Sequence, residues 1–176
     1  MIALTRRAAL AAFALATTSL LATAARADST PAALTDGKAD GTLTVNGKTT
    51  KVAFAYARSV PGFFDKKVDD TQVIVSDVAL DAKALADEFA RIKMAGAGKL
   101  HAFEITINAE GAPISTIWRH NGFKGPAPSG LATADVFTKN VLDGKVVDGG
   151  YRSAAAEEFF GNTYAFDITF RAVIGH

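Results

Sequence analysis

Two of the chain's three histidines, His101 and His120, lie near the ends of the stretch LHAFEITINAEGAPISTIWRH, residues 100–120. Two apolar-alternating runs lie between them, separated by a turn signal at NAEGAP. An even-numbered loop centred on Glu110-Gly111 pairs residues whose numbers sum to 221, which sets Ile107 against Ile114, Ile105 against Thr116, Phe103 against Trp118 and His101 against His120. An odd loop would slip the register by one and place Ser115, Ile117, Arg119 and Asn121 on the Phe103 face, a poorer match of polarity. Imidazoles facing each other at roughly 5 Å between Cβ atoms have the reach to share Zn²⁺ or Cu²⁺. A protein metal site uses three or four ligands, however. The local sequence supplies two, Glu104 falls on the opposite face, and nothing places His176 nearby. The simpler reading makes the two histidines the polar end of an apolar face, hydrogen-bonded to backbone or water. On the other face Glu104 lies diagonal to Arg119, near enough for a surface ion pair.

Trp118, Arg119, Asn121 and Phe123 beside the glycine- and proline-rich GFKGPAPSG offer a second possibility, a recognition edge. Trp118 could equally complete a core. The twelve phenylalanines would line an apolar ligand cavity or fill a packed interior. Other chemistry finds little support. GAGKL, residues 96–100, lacks the glycine spacing and the Ser or Thr of a phosphate-binding loop and reads as a helix C-cap and turn. Ser129 lacks the G-x-S-x-G context of a nucleophile elbow, although a hydrolase needs only spatial proximity. No H-E-x-x-H or dinucleotide fingerprint is present, and Asp69, Asp70, Glu157 and Glu158 read as solvated loop charges.

The elements that must position these residues follow from turn chemistry and alternation. Asn46-Gly47 suits a type I′ hairpin turn, with Val45 facing Lys48 and Leu43 facing Thr50; Leu43, Val45, Val52, Phe54 and Tyr56 then share one side. TQVIVSDVAL reads as an inner strand. Asp81 N-caps a single helix over AKALADEFARIKMA, with Leu85, Phe89 and Ile92 as its buried stripe and Asp87 paired to Lys83 and Arg91 on the wet side. DGKVVDGGYRS reads as a strand bent at Gly149-Gly150. TYAFDITFRAVI alternates cleanly, with Tyr164, Phe166, Ile168, Phe170, Ala172 and Ile174 on one face, and should be a central strand. The expected fold is mainly β, an antiparallel β-sandwich of about seven or eight strands with one inserted α-helix. A lipocalin-like closed barrel is the alternative.

The first residues have the form of an export signal. Arg6 and Arg7 precede an alanine- and leucine-rich run, and Ala25-Arg26-Ala27 fits a small-x-small cleavage pattern. TRRAAL resembles a twin-arginine signal, and a Sec signal accounts for most of the same residues. The expectation is a cleaved segment 1–27, a flexible lead-in 28–40 and one domain at 41–176, exported to the periplasm or beyond. No run has transmembrane length. Removing the three arginines of the leader leaves 19 − 3 = 16 Lys and Arg against 18 Asp and Glu, a net charge of −2, so no basic face points to nucleic acid. The chain has no cysteine, which excludes disulfides, thiolate metal sites and cysteine nucleophiles.

Across GTLTVNGKTTKVAFAYA, VIVSDVALDAKAL, ISTIWRHNGF and GGYRSAAAEEFFGNTYAFDITFRA, residues 41–174 resemble uncharacterised secreted bacterial β-rich proteins. The resemblance implies export and a single domain, and carries no catalytic or ligand residue. Together these readings favour a non-enzymatic exported module that binds a protein or small apolar ligand, or serves structurally in the cell envelope. A metal protein built on His101 and His120 and a hydrolase are the alternatives.

Overall fold

The computed structural model describes residues 33–131 and 134–175. The expected leader, the first five residues of the lead-in and His176 lie outside them. Among the described residues, ten strands and two short helices run in the order β1 Lys38–Val45, β2 Lys48–Lys51, β3 Phe54–Pro61, β4 Asp69–Ser76, α1 Ala82–Ala86, α2 Glu88–Gly96, β5 Ala102–Ile107, β6 Pro113–Arg119, β7 Val136–Leu142, β8 Val146–Arg152, β9 Glu157–Phe159 and β10 Asn162–Gly175. Order thus begins before Gly41: Lys38, Ala39 and Asp40 pair with Arg171, Phe170 and Thr169 of β10, so the lead-in gives way to strand three residues earlier than its small polar composition suggests.

The chain is mainly β, as expected, but the strands form one sheet, ordered β6-β5-β4-β3-β1-β10-β8-β7, with β2 on β1 and β9 on β10. This sheet curls into a half-barrel. It is neither two packed sheets nor a closed barrel, since β6 and β7 stand at opposite ends of the order. The long β10 is the reason for the continuity: it pairs with β1 on one side and with β8 and β9 on the other. Where β1 begins, β3 reaches β10 directly and pairs parallel at Ile174–Ala57. Gly41 sits opposite Ile168 at φ 120°, and a Cβ there would lie 2.0 Å from the Asp167 carbonyl oxygen. Only glycine lets the strands approach so closely.

Curling makes the inner face a core for itself. Phe103 stacks on Phe166 at 4.6 Å between centroids, Trp118 meets Phe103 edge-on at 5.0 Å, and Tyr151 meets Phe166 at 5.0 Å. Alternate β10 residues Phe166, Ile168, Phe170, Ala172 and Ile174 all enter this core. The Asn46-Gly47 turn has both residues at positive φ, 50° and 78°, and Val45 faces Lys48. The expected continuation of that face through Phe54 and Tyr56 fails. The chain breaks between β2 and β3, parity changes, and Ala55 enters the core beside Val52 while Tyr56 joins a second cluster on the outer face.

That outer cluster is where the helices dock. Ile74, Leu80, Ala84, Leu100 and Ala102 form it, with Tyr56, Leu85 and Met94 at its margin. The single expected helix is two segments, because Asp87 is extended (φ −110°, ψ 109°) and its carboxylate accepts the Phe89 amide at 2.8 Å. This break rotates the second segment. Its buried residues are Arg91 and Ala95, whereas Phe89 is 77% and Ile92 43% exposed. The Leu85–Phe89–Ile92 stripe and the Asp87–Arg91 surface pair therefore do not form. Beyond α2, GAGKL makes the expected turn, with Gly98 at φ 67° and its amide bonded to the Ala95 carbonyl. Among the described residues no helix is long and apolar enough to cross a membrane.

Candidate functional site

Strands β5 and β6 pair in the expected register from Ala102–Arg119 to Thr106–Ser115, then a bulge sets Ile107 against Pro113 instead of Ile114. The histidine rings do meet, 4.4 Å apart between centroids and tilted by 51°. Their surroundings are specific. Asp77, just beyond β4, accepts the His101 backbone amide at 2.8 Å through Oδ1 and contacts His101 Nδ1 at 2.7 Å through Oδ2. His101 Nε2 lies 3.2 Å from Asn121 Oδ1. His120 Nδ1 accepts the Gly122 amide at 2.9 Å, which leaves the proton of a neutral ring on Nε2. Nε2 is buried without a hydrogen-bond partner among the described residues. Burial, then the charges of His101 and Lys48, bring the His120 imidazole down from 6.5 to about 4. Three of the four ring nitrogens are thus already engaged. Among the described residues no three His, Asp or Glu side chains converge on a common point.

The proposed recognition edge divides. Trp118 and Phe123 are core residues, 4% and 9% exposed, and touch each other edge-on; their aromatic area faces the curled interior and not solvent. Asn121 remains at the surface beside His101. Arg119 points to the outer face, as its register requires. There it meets Glu104, but not at the surface: Glu104 is 2% exposed and Arg119 half-buried. Glu104 accepts Arg91 Nε at 3.0 Å, Arg91 Nη2 at 3.2 Å and Arg119 Nε at 2.8 Å, and Arg119 Nη2 reaches Glu88 at 2.5 Å. Burial alone would raise the Glu104 carboxyl, and the two guanidiniums outweigh it, so the group lies below its ordinary value. Arg91 Nη1 also donates to the carbonyls of Ala84 and Leu85, closing the exposed end of α1.

The network extends one step further. Gln72 Nε2 donates to Glu104 at 3.2 Å, and its Oε1 accepts Arg58 Nε at 2.7 Å. The Nη atoms of Arg58 have no hydrogen-bond partner among the described residues, and Arg58 is one of the residues lining a groove of about 800 Å³ on the outer face. Its walls are Tyr56 and Ile74 from β3 and β4, Leu85 and Ala86 from α1, and Val173, 55% exposed, from β10. One oriented guanidinium over an apolar trough can bind an anionic group attached to a hydrocarbon body. A smaller space, about 110 Å³, lies beside Trp118, Tyr164 and Ser129. Ser129 lies opposite Ile117 in an isolated bridge.

Two of the carboxylates expected in solvent are tied in. Asp70 is 7% exposed and accepts the Phe63 amide, and Glu157 accepts the Tyr164 hydroxyl at 2.5 Å. Sequence reasoning also missed Asn162, fully buried at the start of β10. Its Oδ1 accepts Asn46 Nδ2 and the Lys124 amide, and its Nδ2 donates to the carbonyls of Lys124, Phe159 and Phe160. Its only local signal was its place in the GN turn ahead of a strand. Arg58 and Gln72 were legible as polar residues in β-branched runs, and no spacing rule linked them. No protein-family model, curated protein or solved structure matches the chain.

Proposed function

We propose that this chain is an exported, non-enzymatic binding module whose ligand is an amphipathic anion. The hydrocarbon part lies in the outer-face groove and the anionic head meets the free edge of Arg58. The observation that carries this reading is the chain Arg58–Gln72–Glu104, which holds a guanidinium by Nε alone over an apolar groove. A groove of this volume is within the range of small-molecule sites. Glu104 takes the Gln72 amide nitrogen, which turns the Gln72 oxygen to Arg58 Nε and leaves the Nη edge for the head of the ligand.

Displacement of a fluorescent fatty-acid probe by dodecanoate tests it. Arg58→Gln should weaken dodecanoate by about tenfold or more, the scale of a charged hydrogen bond. Dodecanol, which lacks the charge, should bind the two proteins alike. Ala86→Trp, which fills the trough, should abolish both. Dodecanoate binding that ignores both substitutions would end the proposal.

A further inference from the structure

The loop after β3 holds Phe63 and Phe64 in solvent, 70% and 79% exposed, packed edge to face at 5.0 Å. Val68 beside them is 45% exposed. The loop is built to hold them there. Gly62 is buried where a Cβ would lie 2.1 Å from the Val68 carbonyl oxygen and 2.3 Å from that of Asp65. The Phe63 amide donates to the buried Asp70 at 2.8 Å, and the Val68 amide donates to Asp65 O at 3.2 Å.

Charge is sorted on the same loop. All three carboxylates are turned to its own frame: Asp70 as above, Asp69 to the Ser59 hydroxyl at 2.6 Å, and Asp65 to the Lys67 amide at 2.9 Å. Lys66 and Lys67 form no ion pair among the described residues, and Lys66 Nζ stands 6.0 Å from the Phe63 ring. The outward tip is therefore two aromatic rings with two unpaired ammonium groups. Its apolar area is roughly 350 Å² from the size of such side chains, well under the roughly 800 Å² each partner contributes to a stable protein interface. A lipid surface asks for no matching shape, takes apolar side chains such as Phe at the boundary of headgroups and acyl chains and attracts lysines when anionic.

We propose that the β3–β4 tip docks on an anionic lipid bilayer, seating Phe63 and Phe64 at the interface with Lys66 and Lys67 among the headgroups. The proposal does not depend on the groove's ligand, and its readout is local to the tip. Phe160 supplies the control. It is 75% exposed, and since β3 and β10 run parallel, a residue preceding β10 stands at the opposite end of the sheet from one following β3. The full chain carrying Phe64→Trp, or Phe160→Trp, is mixed with vesicles of equal parts phosphatidylglycerol and phosphatidylethanolamine bearing brominated acyl chains. The indole at 64 should be quenched and that at 160 should not, above the signal of the buried Trp118. Phe63→Ser with Phe64→Ser should cut partitioning by about tenfold or more, and replacing phosphatidylglycerol by phosphatidylcholine should weaken it. An indole at 64 that stays unquenched, or a double variant that partitions as the parent does, would overturn the proposal. So would equal partitioning onto phosphatidylcholine. Quenching at 64 confined to samples with a second protein present would assign the tip to a protein partner instead.

Discussion

His120 is held with Nδ1 on the Gly122 amide and Nε2 enclosed, so its environment favours the neutral ring. Its folded value near 4 lies below the ordinary 6.5. Between those values the unfolded chain binds a proton that the folded chain refuses. Stability is therefore whole above pH 6.5, falls as pH drops toward 4, and loses nothing more from this group below that. The loss is at most about 3 kcal/mol. Of the charges that face His120, those of His101 and Lys48 lower it and that of Asp77 raises it. Urea midpoints between pH 7.5 and 4.5 should show this decline, and His120→Asn, which keeps an acceptor for Gly122, should flatten it. A His120 ring that titrates near 6.5 by NMR would show the imidazole to be hydrated after all.

At the level of elements, the interruption at Asp87 decides what the helices present to the sheet. It turns Phe89 outward and Arg91 inward, and Arg91 then joins α1, α2 and β5 through Glu104 and two carbonyls. Removing one partner of such a pair leaves a buried charge uncompensated. Glu104→Ala should cost about 3–5 kcal/mol. Arg91→Met combined with Glu104→Met should cost clearly less than the two single changes summed, because the groups are coupled, while Arg119 keeps Glu88. Urea unfolding followed by circular dichroism measures all four variants. A Glu104→Ala loss under 1 kcal/mol would mean that water reaches the network and that the helices dock by apolar contact alone.

For the whole molecule, one sheet curled on an aromatic interior must hold the fold without a disulfide. Its centre is β10, paired on both flanks and buried on alternate residues. Its ends are β6 and β7. The β6 edge is covered in part by the bridge at Ser129 and by the Gly130 amide bonded to the Thr116 carbonyl. Lys139 and the bulge after it mark the β7 edge, devices that discourage pairing with other chains. Hydrogen exchange should follow this order: amides of Phe166, Ile168 and Phe170 exchange only by global unfolding, whereas β7 and α2 open locally and sooner. Exchange of β10 as fast as β7 would contradict a single cooperative sheet. Asn162 joins three loops at one end of β10, which is why that end should open with the whole and not before it.

Contiguous residues were enough to determine several features. Asn46-Gly47 specified its turn, the matching apolar faces of β5 and β6 specified the His101–His120 register (across an odd loop whose slip a bulge takes up, not the even loop expected), and alternation specified the inward face of β10, because each depends on backbone geometry within one or two neighbouring elements. The resemblance-based and compositional readings reached the β-rich class and no further. Whether the strands make one sheet or two depended on β10 finding β1 and β8 from distant parts of the chain. The helix stripe was misread because periodicity assumes an unbroken helix, and Asp87 stops it after five residues. The groove draws its walls from β3, β4, α1 and β10, so no local pattern could announce it. Burial makes the final difference: the same Glu104–Arg119 diagonal that reads as a surface pair becomes, beneath two docked helices, a desolvated network that orients Arg58.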